Sequence, residues 1–338
     1  MKRVLVTGGA GFIGSNFIRH VLSQHADVSI VNYDVLTYAG NLENLAGVDK
    51  DPRYEFVRGD IAERAALDAL GPIDEIVHFA AESHVDRSIE DAGAFLRTNV
   101  AGTQCLLDFA RARKVTRFVH VSTDEVYGTL GPDDPAFCET TPIAPNSPYA
   151  ASKASSDLLV RAAFHTHGLP VVTTRCSNNY GPYQFPEKLI PLMIANAMEG
   201  KSLPVYGDGM NVRDWIHVED HCRAVDLVRR AGRIGEVYNV GGRSERANLV
   251  VVEKILELTG RTKDLIRYVK DRPGHDRRYA INDTRIREEL GFTTLHSFEA
   301  GLAATVRWYM EQRAWWERVR SGAYKSYYER MYGARLGE

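Results

Sequence analysis

Two short runs in this chain hold residues whose types and spacing suit proton transfer. Tyr149-Ala150-Ala151-Ser152-Lys153 sets a tyrosine and a lysine four positions apart, on one face of any helix formed there. A free phenol, with a pKa of about 10, is a poor base at neutral pH. A nearby ammonium favours the phenolate, so Lys153 is expected to lower the pKa of Tyr149. Thr123, Asp124 and Glu125 put a hydroxyl and two carboxyls in one turn. Thr123 suits a hydrogen bond to a substrate hydroxyl beside Tyr149, and paired carboxyls suit acid/base work. A solvated Tyr/Lys pair and a helix-capping acidic turn would be the plainer explanations, and the surroundings of both runs decide.

A glycine cluster suggests what the tyrosine would work with. Thr7-Gly8-Gly9-Ala10-Gly11-Phe12-Ile13-Gly14-Ser15 has the spacing GxxGxxG, with Gly8, Gly11 and Gly14 as its frame. Such glycines permit a tight turn, a close approach of backbone to a pyrophosphate, and close helix-on-strand packing. A helix opening there offers free N–H groups and a positive dipole end to phosphates. Asp34, 20 residues past Gly14, is placed to accept from a ribose 2′-OH and to repel a 2′-phosphate, so NAD is expected over NADP. Asp60-Ile61 falls at a later strand end. There Asp60 suits either an adenine amino group or a simple turn.

These runs need a frame that brings them together. Short β-branched runs over 3–7, 29–33, 54–58, 75–80, 117–122 and 171–174 read as strands, several of them nearly continuous apolar runs, as strands buried on both faces of a parallel sheet should be. Helical patterns over 12–24, 63–70, 93–113 and 150–167 alternate with them. The expected fold is therefore α/β, a doubly wound parallel Rossmann-type sheet. Residues 1–175 would form the NAD-binding domain carrying Tyr149 and Lys153. Residues 176–338 would form mainly a smaller, mixed C-terminal substrate lobe, with the chain free to cross back to the sheet. Loops dense in Asn, Pro, Gly and Tyr over 177–186 and 206–213 suit ligand contacts. Helical patterns return at 188–199, 248–258, 284–290 and 298–311.

Composition narrows the possibilities. With 42 Lys+Arg against 44 Asp+Glu the net charge is −2, which argues against a nucleic-acid partner. A 338-residue chain buries roughly 75% of its unfolded surface and needs no disulfide staples. The four cysteines (Cys105, Cys138, Cys176, Cys222) are scattered, which suggests free thiols in a reducing cytoplasm and no metal site. No apolar run suits a signal peptide or a membrane span, so no membrane association is expected. His84 and Asp86 read as a polar network rather than a metal set. The aromatic residues Trp308-Tyr309, Trp315-Trp316 and Tyr327-Tyr328 read as helix packing onto the lobe.

Taken together, residues 7–15, 80–88, 122–128, 149–153, 177–189, 204–213 and 271–275 resemble the extended short-chain dehydrogenase/reductase family, over roughly residues 1–313. The glycine and Tyr/Lys motifs are shared across that family. Asp124-Glu125 within STDEVYG, together with AAESHVDRS and SNNYGPYQFPEKLIP, resembles more narrowly its 4,6-dehydratases of nucleotide sugars, the branch that acts on dTDP-glucose.

The resemblance implies a redox-neutral lyase in three stages. Tyr149 as phenolate takes the C4 hydroxyl proton as NAD accepts hydride, with Thr123 assisting and Lys153 supporting. Glu125 then removes the C5 proton while Asp124 protonates the departing C6 hydroxyl, so Asp124 must be protonated and Glu125 ionised. Hydride finally returns to C6. The resemblance places Phe12, Ile13, Leu36, Thr37, Ala80, Ala81, Thr98 and Asn179 at the cofactor, with Tyr149, Lys153 and the glycines. It places Ser83 with Glu82, Thr123, Asn178, Lys188, Leu189, Pro204, Val205, Tyr206, Arg213, Asn248, Arg272 and His275 at the nucleotide sugar. It also implies a homodimer through helices 93–113 and 150–167. Three rival functions stand beside the dehydratase of dTDP-glucose. A nucleotide-sugar 4-epimerase would lack the acid pair, a second dehydratase would act on a GDP- or UDP-sugar, and a non-catalytic regulator would only bind NAD.

Overall fold

Runs of β-branched residues set the frame. The computed structural model describes residues 1–320. The first six strands are β1 (Lys2–Thr7), β2 (Val28–Asp34), β3 (Tyr54–Arg58), β4 (Glu75–His78), β5 (Arg117–Thr123) and β6 (Val171–Cys176). Later come β7 (Asn178–Tyr180), β8 (Leu203–Tyr206), β9 (Val212–His217), β10 (Val237–Val240), β11 (Glu245–Ala247) and β12 (Ile266–Val269). The main sheet runs β10-β6-β5-β4-β1-β2-β3, parallel throughout. Two small sheets accompany it, β11-β9-β7 and β12-β8.

Alternation along each strand feeds two layers. Val4 and Val6 of β1 face one core with Phe17, Val21, Val225 and Val228, from helices Phe12–Gln24 and Val218–Ala231. Leu5 between them faces the other core, with Leu106, Phe109, Val160 and Ala163 from helices Thr103–Arg113 and Pro148–His167. The lobe has a separate core of Met193, Ile194, Val252, Ile255, Leu302, Tyr309, Trp315 and Trp316. The rings of Trp308 and Tyr309 thus do pack onto the lobe, as do those of Trp315 and Trp316. Tyr327 and Tyr328 lie outside the described residues.

The structure departs from the expected elements in several places, and strands β7 to β12 were not among those expected. The strand expected over 75–80 ends at His78, which leaves Phe79 and Ala80 as a turn beside Gly8. The helix expected over 93–113 widens into a π turn over Leu96–Gly102. Within it, Asn99 accepts from Glu82 N at 2.9 Å and donates to Ser152 Oγ at 2.8 Å, tying the loop after β4 to the helix that carries Tyr149. Helix Val218–Ala231 was not expected at all. Its charged residues mask an apolar stripe of Val218, Cys222, Val225 and Val228, whose helical spacing was there to be read.

Between β1 and β4 the strand order reverses, which opens a crevice at the carboxyl ends of the strands. Leu302 is fully buried in the lobe core, whereas Leu295 is 63% exposed. We expect Leu302→Ala to lower unfolding free energy in urea by about 2–5 kcal/mol, and Leu295→Ala to change it by less than about 0.5 kcal/mol.

Candidate active site

Each element of the crevice ends on a polar residue or a small one. The cavity there holds about 460 Å³ and is walled by residues at the carboxyl ends of β1 (Gly8), β2 (Asp34), β3 (Asp60), β4 (Ala80), β5 (Thr123) and β6 (Cys176). Gly11, Phe12, Ile13, Gly14, Thr37, Ile61, Ala81, Thr98, Tyr149, Lys153 and Asn179 line it too, so the residues expected at the cofactor converge here. Leu36 is the exception. It sits behind the wall at φ 58°, and its N–H donates to Asp34 at 2.8 Å.

The cradle suits a dinucleotide. Gly8 turns at φ +70°, and a Cβ on Gly14 would lie 2.3 Å from the Gly8 carbonyl oxygen, so the helix packs directly on the loop. A Cβ on Gly11 would meet only that carbonyl, at 3.3 Å, and otherwise face the cavity. Asp34 is held by Ala10 N at 2.9 Å as well as Leu36 N. Burial raises its pKa against those two bonds. Asp60 accepts from Ala62 N and from Arg97 Nη1, so it closes a turn while lining the cavity. The Oδ1 atoms of Asn178 and Asn179 are buried with no partner among the described residues and lie in the same wall, ready for a polar ligand.

The reactive residues meet where β5 ends. Ser147 caps the helix Pro148–His167 by accepting from Ala150 N at 3.1 Å, with Pro148 in its first turn. Ser88 Oγ accepts from Tyr149 N at 3.1 Å and fixes the helix start. Burial, then the charge of Glu125, push Tyr149 well above the ordinary phenol value, while the Thr123 hydroxyl pulls it down. This corrects the expected lowering by Lys153. The ammonium donates to Val121 O at 2.8 Å, and burial has brought its own pKa down to about 8.

The two carboxyls have unlike neighbours. Asp124 is 2% exposed, and burial raises its pKa well above the carboxylate range; Glu125 and Asp214 add to the rise and Arg213 opposes it. Glu125 is half-buried against the cavity. Burial raises it as well, but Arg272, Lys188 and Arg213 all favour its charged form. Asp124 is thus the protonated partner and Glu125 the one more readily ionised.

The residues expected at the substrate fall into two groups. Glu82, Ser83, Thr123, Asn178 and Lys188 line the cavity, with Lys188 Nζ on Ser83 O at 2.7 Å. Beyond the wall, Tyr206 and Arg272 both bond to Asp86, at 3.1 and 2.9 Å. His275 lies edge-on to Tyr206, and Arg213 covers the Tyr279 ring at 4.2 Å. Both arginines nevertheless feel the charge of Glu125. Leu189, Pro204, Val205 and Asn248 do not line this cavity; Val205 is a lobe-core residue and Leu189 packs on that core.

Sequence reasoning missed Tyr38, Phe185 and Glu187, which line the cavity too. The rings of Tyr38 and Phe185 meet edge-on at 5.6 Å, Arg87 covers Tyr38 at 4.0 Å, and Arg87 pairs with Glu187 at 3.0 Å. It also missed Asp214 and Tyr279, which carry no local motif.

A Rossmann sheet with a Tyr/Lys pair and a threonine at its carboxyl edge defines an extended short-chain dehydrogenase/reductase. The family description that matches, GDP-mannose 4,6 dehydratase, spans residues 5–305. The chain is 54% identical to the dTDP-glucose 4,6-dehydratase of Neisseria meningitidis serogroup B, over 96% of this chain and 98% of that one. Its fold is similar to DesIV, a dTDP-glucose 4,6-dehydratase from Streptomyces venezuelae crystallised with NAD and TYD bound. The TM-score is 0.91 and the identity 54%, covering 94% and 99% of the two chains. A UDP-glucuronic acid 4-epimerase from Bacillus cereus is similar at TM-score 0.86 and 27% identity, covering 91% and 99%. The chain belongs to the extended short-chain dehydrogenase/reductases and, within them, to the dTDP-glucose 4,6-dehydratase family.

A raised carboxyl pKa has a cost in stability. The folded chain holds the Asp124 proton more tightly than the unfolded chain does. The stability this adds is full below the ordinary carboxylate range and is lost as pH rises toward the elevated value. We expect Asp124→Asn, which cannot ionise, to raise Tm at neutral pH by roughly 1–3 °C, and to leave Tm unchanged near pH 3. Calorimetry at the two pH values checks this.

Proposed function

We propose that this chain converts dTDP-glucose to dTDP-4-keto-6-deoxy-glucose and water, with NAD as a resident cofactor. The observation that carries the reading is the acid pair. A catalyst that only oxidises and reduces needs Thr123, Tyr149 and Lys153, whereas Asp124 and Glu125, both raised by burial but Glu125 countered by three cations, serve an elimination. The sheet side, roughly residues 1–175, holds the cofactor, and the later part of the chain mainly contributes the nucleotide-sugar contacts.

NAD, when bound, supplies a positively charged two-electron acceptor and donor, so that C4 is oxidised and C6 later reduced with no net redox change. The turn at Gly8 and Gly11, with Gly14 letting the helix pack on it, would hold its pyrophosphate, Asp34 would accept from its adenosine ribose, and Asn179 and Thr98 line the same cavity. Tyr149, protonated at rest, must lose its proton before its Oη takes the C4 hydroxyl proton, a loss that the positive charge of bound NAD would favour. Thr123 Oγ1 orients that hydroxyl, and the Lys153 ammonium supports the phenolate together with the positive end of the helix that Tyr149 begins. Glu125 takes the C5 proton, made acidic by the C4 ketone. Asp124 gives its proton to the departing C6 hydroxyl. Glu125 then returns a proton to C5. Arg272, Lys188 and Arg213 favour the charged form of Glu125 against its burial, and the two arginines also suit the diphosphate.

We also read the chain as cytoplasmic, with free thiols and, among the described residues, no helix long and apolar enough to cross a membrane. Exposed Leu96 and Leu158, on the helices expected to pair, fit a homodimer.

Mass spectrometry of the purified protein with dTDP-glucose tests the function. We expect loss of one water with no added reductant; a galactosyl product would make the chain an epimerase instead. Glu125→Gln should oxidise C4, leaving reduced cofactor visible in absorbance, and release 6-deoxy product at least ~100-fold more slowly, on the order of one lost acid/base group. Normal turnover in that variant removes Glu125 from its role.

A further inference from the structure

We propose that Asp157 is a positioning residue for the reaction: its carboxylate, one helical turn beyond Lys153, is the counter-charge that keeps Lys153 an ammonium beside Tyr149. The inference rests on the reading of Lys153 as the support of the phenolate. Tyr149, Lys153 and Asp157 stand at successive four-residue steps on helix Pro148–His167, hence on one face, and all three are buried. The only hydrogen bond Lys153 makes through Nζ among the described residues goes to a neutral acceptor, Val121 O, at 2.8 Å. It forms no ion pair there. A buried ammonium with only a carbonyl for company tends to lose its proton.

The groups facing Lys153 come from three elements besides its own helix, and one group in the set is an anion. From β5, His120 is held neutral by burial, its pKa down to about 4. From β4, His78 is also driven well down by burial and stacks near His120 at 5.4 Å. From β6, the Cys176 thiol is pushed up to about 12 and stays protonated. Asp157 alone is charged and negative, with its pKa down to about 2. It raises the pKa of Lys153 against burial.

Its place is fixed from the far side. Arg175 Nε donates to Asp157 at 2.8 Å, and His120 Nε2 lies 3.2 Å from its other oxygen. Arg175 in turn donates to the Tyr127 hydroxyl at 2.9 Å, which donates to Asn239 at 2.8 Å. A chain of polar contacts thus runs from β10 through β6 to the counter-ion of the reactive lysine.

The rival explanation is that Asp157 and Arg175 are simply a structural ion pair. Two variants of the NAD-loaded enzyme separate the possibilities, because both break the same pair but change the charge near Lys153 in opposite directions. Asp157→Asn and Arg175→Gln should lower Tm comparably. Asp157→Asn should move the alkaline limb of the kcat–pH profile to lower pH by about one unit or more, with KM and NAD occupancy (read by absorbance) unchanged. Arg175→Gln should leave the limb in place or move it to higher pH. Asp157→Glu, which keeps the charge, should stay near the wild-type profile. An unmoved limb in Asp157→Asn, or an acid shift in Arg175→Gln, overturns the proposal; the second result decides even where Asp157→Asn does not fold. Lys153→Met tests the underlying reading separately. Full activity in that variant would refute the role of Lys153, whereas its loss alongside an unmoved limb in Asp157→Asn refutes only the role of Asp157.

Discussion

Two neighbouring carboxyls taken out of water cannot both carry charge, and the site is organised around that constraint. Asp124 and Glu125 are consecutive, so backbone geometry alone gives them no difference in role. The difference comes from what surrounds each. Asp124 is the more deeply buried of the two and feels Asp214, a carboxyl itself raised by burial to about 6. Glu125 lines the cavity and feels the charges of Arg272, Lys188 and Arg213, of which Lys188 also lines the cavity. Both arginines and Asp214 come from the chain after β6, and their charges give the two carboxyls unlike surroundings, which fits the proposed acid and base.

The same edge of the sheet serves the redox half of the reaction. The turn after β1 forms the dinucleotide cradle, while β5 delivers Thr123 and the acids into the same cavity. Tyr149 opens a long helix whose start is pinned by Ser147 and Ser88 and whose first turns are braced by Asn99 through Ser152. In the proposed reaction this one cavity would take both the cofactor that exchanges electrons and the side chains that move protons. A reaction that returns its electrons has no need to exchange its cofactor.

Much of this was legible in the residues. Parallel strands buried on both faces announce themselves as apolar runs, and a tight turn against a phosphate needs glycine, so β1 to β6 and the cradle could be read directly. The i, i+4 spacing placed Tyr149 and Lys153 on one face. What escaped reading was set by partners distant in sequence. Arg175, Asp214 and Tyr279 carry no local pattern, because their neighbours lie tens to more than a hundred residues away. The phenol pKa was misread for a related reason. Spacing shows that an ammonium is close, but not that it is already bonded to Val121 O, nor that Glu125 bears on the ring.

The central claim is that Asp124 and Glu125 hold opposite protonation states at neutral pH. Infrared spectroscopy of the NAD-loaded enzyme reads this directly through the carbonyl stretch of a protonated carboxyl group. The account predicts a buried carboxylic-acid band at neutral pH that is missing in Asp124→Asn and present in Glu125→Gln. A band lost in Glu125→Gln and kept in Asp124→Asn would contradict it, as would a band that neither substitution removes.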